Sequence, residues 1–463
     1  MGHPRERRPF GRNLDRREFL KRTAGAAVAA PSLAAILAAC SKPGTALPSG
    51  GALAIGDGGI VKEGYPYPLA RPDNPVTWHI FDDNKPIPSG QSPETGATLQ
   101  IYNWIDYIWK NSLHAFKTQF NCDIKITTFN NEEEAINKMT SGDVAFDVFF
   151  PTTDYVGKLV TKKILRPLNR DYIPNLEANI WPYFQNPFYD GEARYTVPYT
   201  VYSTGIQYAR QPTSGDPNFI SDEELRAMSN PYDILWDPKW KGQTGVLDSY
   251  RDVMCMTLLR RGVTDLNTED PAIIQQAGQD LLDLLDATSP KVGTKVGYIA
   301  FPGEQINVDA SWSGDSTASW GYVTQYDQAH YERIGYWYPE DRKGAIGNDL
   351  IGIPSSAPNP VLAHEFLNYM LDTDHSLYNF SWNGYQPPLN AINPDTLPTT
   401  SGVYGNLGWA KASNGGEPIP YVFDWLKDAI VRKDDFTTGY QIAELSPDVN
   451  DLWTSQWDRF QSG

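Results

Sequence analysis

Cysteine is scarce: Cys40, Cys122 and Cys255 are the whole complement in 463 residues. That excludes a small disulfide-stapled fold, and the lack of a C-x-x-C pair leaves thiol redox chemistry unsupported. Cys122 precedes the strand-like run DIKITTF and Cys255 lies inside the helix-like run DVMCMTLLRRG, so both are expected to be buried free thiols. Histidine is as thin, with six scattered residues and no H-E-x-x-H, so neither His nor Cys supports a metal site. G-x-S-x-G and G-x-x-x-x-G-K are also missing, which removes the nucleophile elbow and the phosphate-cradling loop. No cofactor is implied. The longest apolar stretch, Ala24–Ala39, is about 16 residues, short of the ~20 that cross a bilayer as a helix.

Basic residues are outnumbered, 39 Lys and Arg against 56 Asp and Glu, for a formal charge of -17. Eight basic residues and only three acids fall in residues 1–39, an excess of five, so the remainder carries -22. Such a body repels nucleic acid and anionic headgroups and draws cationic solutes at long range, beyond the plain benefit to solubility. At this length, with 40% hydrophobic residues, the chain is expected to form two or more compact units.

What is present begins with three signals in order. Residues 1–23 are basic and hold Arg16 and Arg17 in the run DRREFLK, the apolar stretch follows, and Leu37-Ala38-Ala39-Cys40 closes it. The set resembles a twin-arginine export signal that ends in a bacterial lipoprotein cleavage site. That implies removal of residues 1–39 and acylation of Cys40, which tethers the protein to the cell membrane on its outer or periplasmic side. Residues 40–97, rich in Ser, Pro and Gly, are expected to form a flexible stalk, packed at most near Val76–Phe81.

From Thr98 short apolar runs alternate with helical periodicity. Strands are expected at Leu99–Trp104, Ile124–Phe129 and Phe146–Phe150, with helices at Trp109–Phe120, Glu132–Met139 and Tyr155–Lys163. Further strands fall at Gln243–Leu247 and Ile306–Ser311, and proline-led helices follow Asp270 and Asn359. The alternation gives an α/β fold with a mostly parallel sheet. In such sheets ligands collect beyond the carboxyl ends of strands. Acids and aromatics cluster at those positions: Asn103-Trp104-Ile105-Asp106-Tyr107, Pro151-Thr152-Thr153-Asp154-Tyr155, Asp248-Ser249-Tyr250-Arg251-Asp252, Trp312-Ser313-Gly314-Asp315 and Gly347-Asn348-Asp349.

The strings LQIYNWIDYI, FNNEEEAINKMTSGDVAFDVFFPTTDYVGKL, VPYTVYSTGIQY, SWSGD, NDLIGIP and NGYQPPLNA, in this order, resemble the spermidine/putrescine-binding proteins of bacterial ABC importers. The resemblance covers the chain from about Thr98 to its end. It implies a type II, periplasmic-binding-protein-like fold of two lobes, residues 98–203 plus 347–395 and residues 204–346 plus 396–463, which close on a ligand by hinge motion. It also implies a monomeric receptor that hands a polyamine to a permease driven by an ATPase. Carried over by position, Trp104 and Tyr107 flank the ligand, Asp106 takes an amine, Thr152 is a polar contact, and Asp252 is an acid of the second lobe. Trp312 is an aromatic wall, Asp349 grips an amine, Tyr385 stands near the hinge, and Gln441 is a more distant match. Asp315 resembles the putrescine-type members. Ile105 replaces a hydroxyl residue, Ser249 an acid, Asp154 an aromatic, and Gly347 a tryptophan, while residues 395–430 run longer than in the family. Fewer walls and more acids favour putrescine over spermidine.

Each residue also has a plainer role open to it. Trp104 and Trp312 end apolar runs and suit core packing. Asp248 suits a helix N-cap, as do Asp252 and Asp154, whereas Asp315 and Tyr385 suit turns and loops. Asp349, with apolar residues following, is expected to be a buried acid that needs a cation. The rival functions are the same receptor for another cationic solute or a sugar, and a secreted hydrolase using paired carboxylates with tryptophan platforms.

Overall fold

In a computed structural model the protein is described over residues 55–129, 132–141, 145–210, 219–324, 330, 332–392 and 426–463. Arg16, Arg17 and Cys40 lie outside the described residues, as does most of the 395–430 stretch.

The first described segment departs from the expected stalk. β1 (Gly56–Gly58) pairs antiparallel with β2 (Val76–Trp78), and Tyr67, Val76 and Trp78 are buried in one cluster with Phe149, Phe188 and Tyr195. Trp78 Nε1 donates to the Tyr189 carbonyl at 2.8 Å, and Asn84 Nδ2 to the Leu165 carbonyl at 2.8 Å. Spaced aromatic anchors hold this strap in place of regular structure, so the Pro and Gly that suggested a stalk mark the turns between anchors. Gly59 makes one such turn at φ +74, where a Cβ would lie 2.4 Å from Val76. Residues 60–74 then reach across to the C-terminal half. Lys62 pairs with Glu269, the Tyr65 and Tyr67 hydroxyls both donate to Glu444 Oε1 at 2.6 Å, and Arg71 donates to the Glu444 carbonyl at 2.9 Å.

β3 (Thr98–Trp104) lies between β4 (Asp123–Phe129) and β5 (Val148–Phe149), parallel to both. α1 (Lys110–Phe120) and α2 (Glu132–Ser141) are the crossovers, and α3 (Val156–Thr161) follows β5. The period-2 pattern of β3 sends Leu99 and Ile101 into one core, while Tyr102 stacks on Phe146 in another at 4.3 Å. β6 (Thr196–Ala209) comes next, buried along nearly its whole length. Beyond it are β7 (Thr244–Val246), α4 (Tyr250–Arg260), α5 (Pro271–Thr288), β8 (Lys291–Val292), β9 (Val308–Trp312), α6 (Ser313–Ala318), β10 (Ile334–Trp337) and β11 (Ala345–Gly352). α7 (Pro360–Met370), α8 (Thr373–Asn383), β12 (Tyr440–Gln441) and α9 (Pro447–Ser462) complete the described elements named here. α5 and α7 begin at proline as expected.

The main sheet runs β4-β3-β5-β11-β6-β9-β7-β8. It is parallel at both ends and antiparallel where β6 pairs with β11 and β9. The 14-residue β6 therefore joins two α/β halves. Leu99, Val148, Leu362 and Phe366 fill the first core, and Val246, Met254, Leu281 and Trp453 the second. Cys122 and Cys255 are buried and unpaired. The described C-terminal residues 426–463 divide between the two cores: Phe436 packs on Trp181 and Phe184 of the first, whereas α9 packs on α5. Among the described residues no helix is long and apolar enough to cross a membrane.

Candidate functional site

The ends of β3, β5 and β9, the middle of β11 and the first turn of α4 converge on a cavity of about 560 Å³. All eleven residues expected at a ligand site border it: Trp104, Asp106, Tyr107, Thr152, Asp154, Asp252, Trp312, Asp315, Asp349, Tyr385 and Gln441.

Asp349 sits where the β6–β11 register shifts, an irregularity of the kind that re-aims a side chain. Its Oδ2 accepts the Tyr107 hydroxyl, which also lies 2.6 Å from the Thr200 hydroxyl. Burial, then the charges of Asp252 and Asp154, push the Asp349 carboxyl up to about 7 against that hydrogen bond. Asp252, in the first turn of α4, accepts from Thr204 Oγ1 and Ser249 Oγ at 2.7 Å each and from Trp312 Nε1 at 3.0 Å. Burial still raises it despite those three bonds. Ser249 caps α4, not Asp248 as expected; Asp248 Oδ1 instead accepts from Gln461 at 3.2 Å.

Asp315 Oδ1 accepts the Tyr385 hydroxyl at 2.7 Å, Oδ2 has no partner among the described residues, and burial pushes the carboxyl up to about 7. Gly314 is needed beside it, since a Cβ there would lie 2.4 Å from the Tyr385 ring. Asp154 Oδ1 accepts the Thr152 hydroxyl at 2.7 Å. Asp106, at φ +56 just past β3, sits 3.6 Å from Lys295. The Gln441 amide is engaged with Tyr183 at 2.8 Å and the Phe436 carbonyl at 3.1 Å, so it forms wall.

The acids fall into two poles. Asp154 acts on Asp252 and both act on Asp349, whereas Asp315 and Asp106 act together on Tyr298. Two rings link the poles: Tyr385, bonded to Asp315, meets Tyr107, bonded to Asp349, edge-on at 5.1 Å. Tyr202 stands between Tyr385 and Trp312 at about 6 Å from each. Arg251 borders the cavity too, but its guanidinium donates to the Ala443 and Leu266 carbonyls and to Asn267. Among the described residues no group of His, Cys, Asp and Glu is placed to hold a metal ion. Separated buried carboxyls joined by aromatic faces can solvate several ammonium nitrogens and the methylenes between them.

Some lining residues went unforeseen. Tyr202 and Tyr298 sit inside a strand and a helical turn with no acid beside them, and Glu132 opens a Glu-Glu-Glu run that reads as a solvated helix start. The alternation of VPYTVYSTGIQY, which puts Tyr202 on the same face as Thr200 and Thr204, was the available signal for that residue.

Residues 111–400 match the family described as bacterial extracellular solute-binding protein. A spermidine/putrescine-binding periplasmic protein of Haemophilus influenzae is 25% identical over 276 residues, covering 59% of this chain and 70% of its own length. A putrescine/agmatine-binding protein of Pseudomonas aeruginosa is 26% identical over 391 residues, 79% of this chain and 92% of its own. The solved spermidine/putrescine ABC transporter substrate-binding protein of Streptococcus pneumoniae superimposes with TM-score 0.59 at 20% identity, over 79% of this chain and 99% of that one. The last likeness carries the two-lobed type II binding-protein fold.

Proposed function

The chain belongs to the bacterial extracellular solute-binding proteins, binding proteins rather than enzymes, and on that footing we propose that it captures a di- or polyamine for an ABC importer. The observation that carries this is the pair of carboxyl poles joined by the Tyr385–Tyr107 contact. An ammonium drawn from water into a closed cleft is tolerated only where carboxylates and acceptors replace its hydration, and ring faces add about 0.5–2 kcal/mol per contact. The spermidine, putrescine and agmatine for which the Haemophilus and Pseudomonas relatives are named support the same chemistry. Asp315 and Asp154 favour a short dication such as putrescine over spermidine. Residues 98–203 with 347–395 form the ligand-closing first lobe and residues 204–346 with 396–463 the second, hinged at β6 and β11, with contacts such as Phe436 on Trp181 crossing between them. Export through the Arg16-Arg17 signal, acylation of Cys40 and action as a monomer at the membrane complete the proposal.

Calorimetry of the mature protein with putrescine, spermidine, agmatine, glucose and maltose tests it. Micromolar or tighter binding of putrescine with no sugar binding is expected. No heat with any amine at millimolar concentration would sink the proposal, and sugar binding would replace it.

A further inference from the structure

Glu132, the first residue of α2, is left unused by the ligand contacts above. It is 5% exposed, it borders the cavity, and neither carboxyl oxygen meets a donor of the described residues in hydrogen-bonding geometry. The charges that bear on it most are Asp154 and Asp349, both of like sign, with the Thr152 amide and Lys158 acting in the opposite sense. Buried polar groups are nearly always partnered, and an ionised carboxyl facing two others is strongly disfavoured without a counter-cation. The helix N-terminus does not account for this placement, since that favourable effect is typically about 0.3–1 kcal/mol and is available equally to an exposed carboxylate. Glutamine at this position would fill the same volume without adding a charge. A glutamate here adds a fourth acid to the pole that already holds Asp154, Asp252 and Asp349.

We propose that Glu132, Asp154 and Thr152 form a second cation subsite on the Asp349 side of the cavity, taking one cationic nitrogen of a ligand whose other nitrogen lies at the Asp315–Tyr385 pole. Glu132 thereby selects ligands charged at both ends over those charged at one. The inference rests on the amine-receptor function proposed above. Asp154 Oδ1 already holds the Thr152 hydroxyl, so its Oδ2 and both Glu132 oxygens are the acceptors left to the ligand.

The test compares putrescine with butylamine, of equal chain length and one charge fewer, by calorimetry on wild type, Glu132→Gln and Glu132→Asp. Glu132→Gln is expected to lose at least tenfold in putrescine affinity and less than threefold for butylamine, and Glu132→Asp to recover most of the loss. Asp154→Asn should show the same split, which keeps the question open to measurement if Glu132→Gln folds poorly. Equal losses for both amines, or no loss for putrescine, would overturn the subsite while leaving the receptor function intact. Failure of the wild type to bind any amine would overturn both.

Discussion

Each buried carboxyl of the cavity is held in a state that a cation would change. Asp349 and Asp315 are raised by burial from 3.8 to about 7. Their neutral forms therefore favour the empty folded protein, fully below pH 3.8 and progressively less as pH climbs through 7. A bound ammonium favours the ionised form, so affinity runs the other way. Amine binding should strengthen between pH 6 and pH 8 and then level off, with protons released to buffer. Calorimetry in two buffers of different ionisation heat measures that release. The charges of Asp252 and Asp154 beside Asp349 spread its ionisation over a wider pH range, because each negative charge makes the next harder to form, while the Tyr107 hydrogen bond opposes the rise. Asp349→Asn should cost about 2–5 kcal/mol of amine binding at pH 8 and flatten the pH profile; a loss below ~0.5 kcal/mol would place Asp349 outside the ligand's reach. At this scale the sequence made Asp349 and Asp315 legible, because Asp349 stands directly before the apolar run that opens at Leu350 and Asp315 follows Gly314 just past the strand-like run ending in Ser311. Glu132 was hidden by its neighbours, since three consecutive glutamates look like a water-facing turn until the fold buries the first.

Among the elements, the strands with clean alternation and the helices led by proline were readable to within a residue or two. β5 was not: Phe146–Phe150 is apolar apart from Asp147, yet only Val148–Phe149 pair, because the strand meets β11 at a single position while Phe146 and Phe150 serve packing and Asp147 accepts from Gln100 and Asn359. Of the strap only the packing near Val76–Phe81 was legible, the rest having no period for a pattern to reveal. Its fit is visible from the other side of the contact. A Cβ on Gly191 would lie 2.1 Å from Thr77 Oγ1, and one on Gly157 would meet Glu444, Tyr67 and Trp78 within 3.2 Å. Trp78→Ala should destabilise the whole protein by about 3–5 kcal/mol in urea unfolding, the cost of emptying a large buried site. A tryptophan on a loose stalk would leave the midpoint unchanged, so the measurement separates the two arrangements cleanly.

For the whole molecule, the two halves meet through β6, β11, the C-terminal tail and the strap, and these connections surround a cavity that both halves line. Lys62 and Arg71 lie on the strap while Glu269 lies before α5, so this contact joins the halves away from the cavity. Lys62→Ala with Arg71→Ala removes two ion pairs to Glu269 and the bond from the buried Arg71 to the Glu444 carbonyl, worth together about 1–3 kcal/mol. If the arrangement with these pairs made is the one that holds ligand, the double variant should bind putrescine roughly 2–10-fold more weakly, by the population of competent molecules alone. The ratio of putrescine to spermidine affinity should stay as it is, since no cavity residue changes. A shift in that ratio would mean that the strap shapes the cavity itself. The strap thus acts as a set-screw: a position where selection can tune how tightly the receptor holds its cargo, and how readily it lets go, with the chemistry of recognition left untouched.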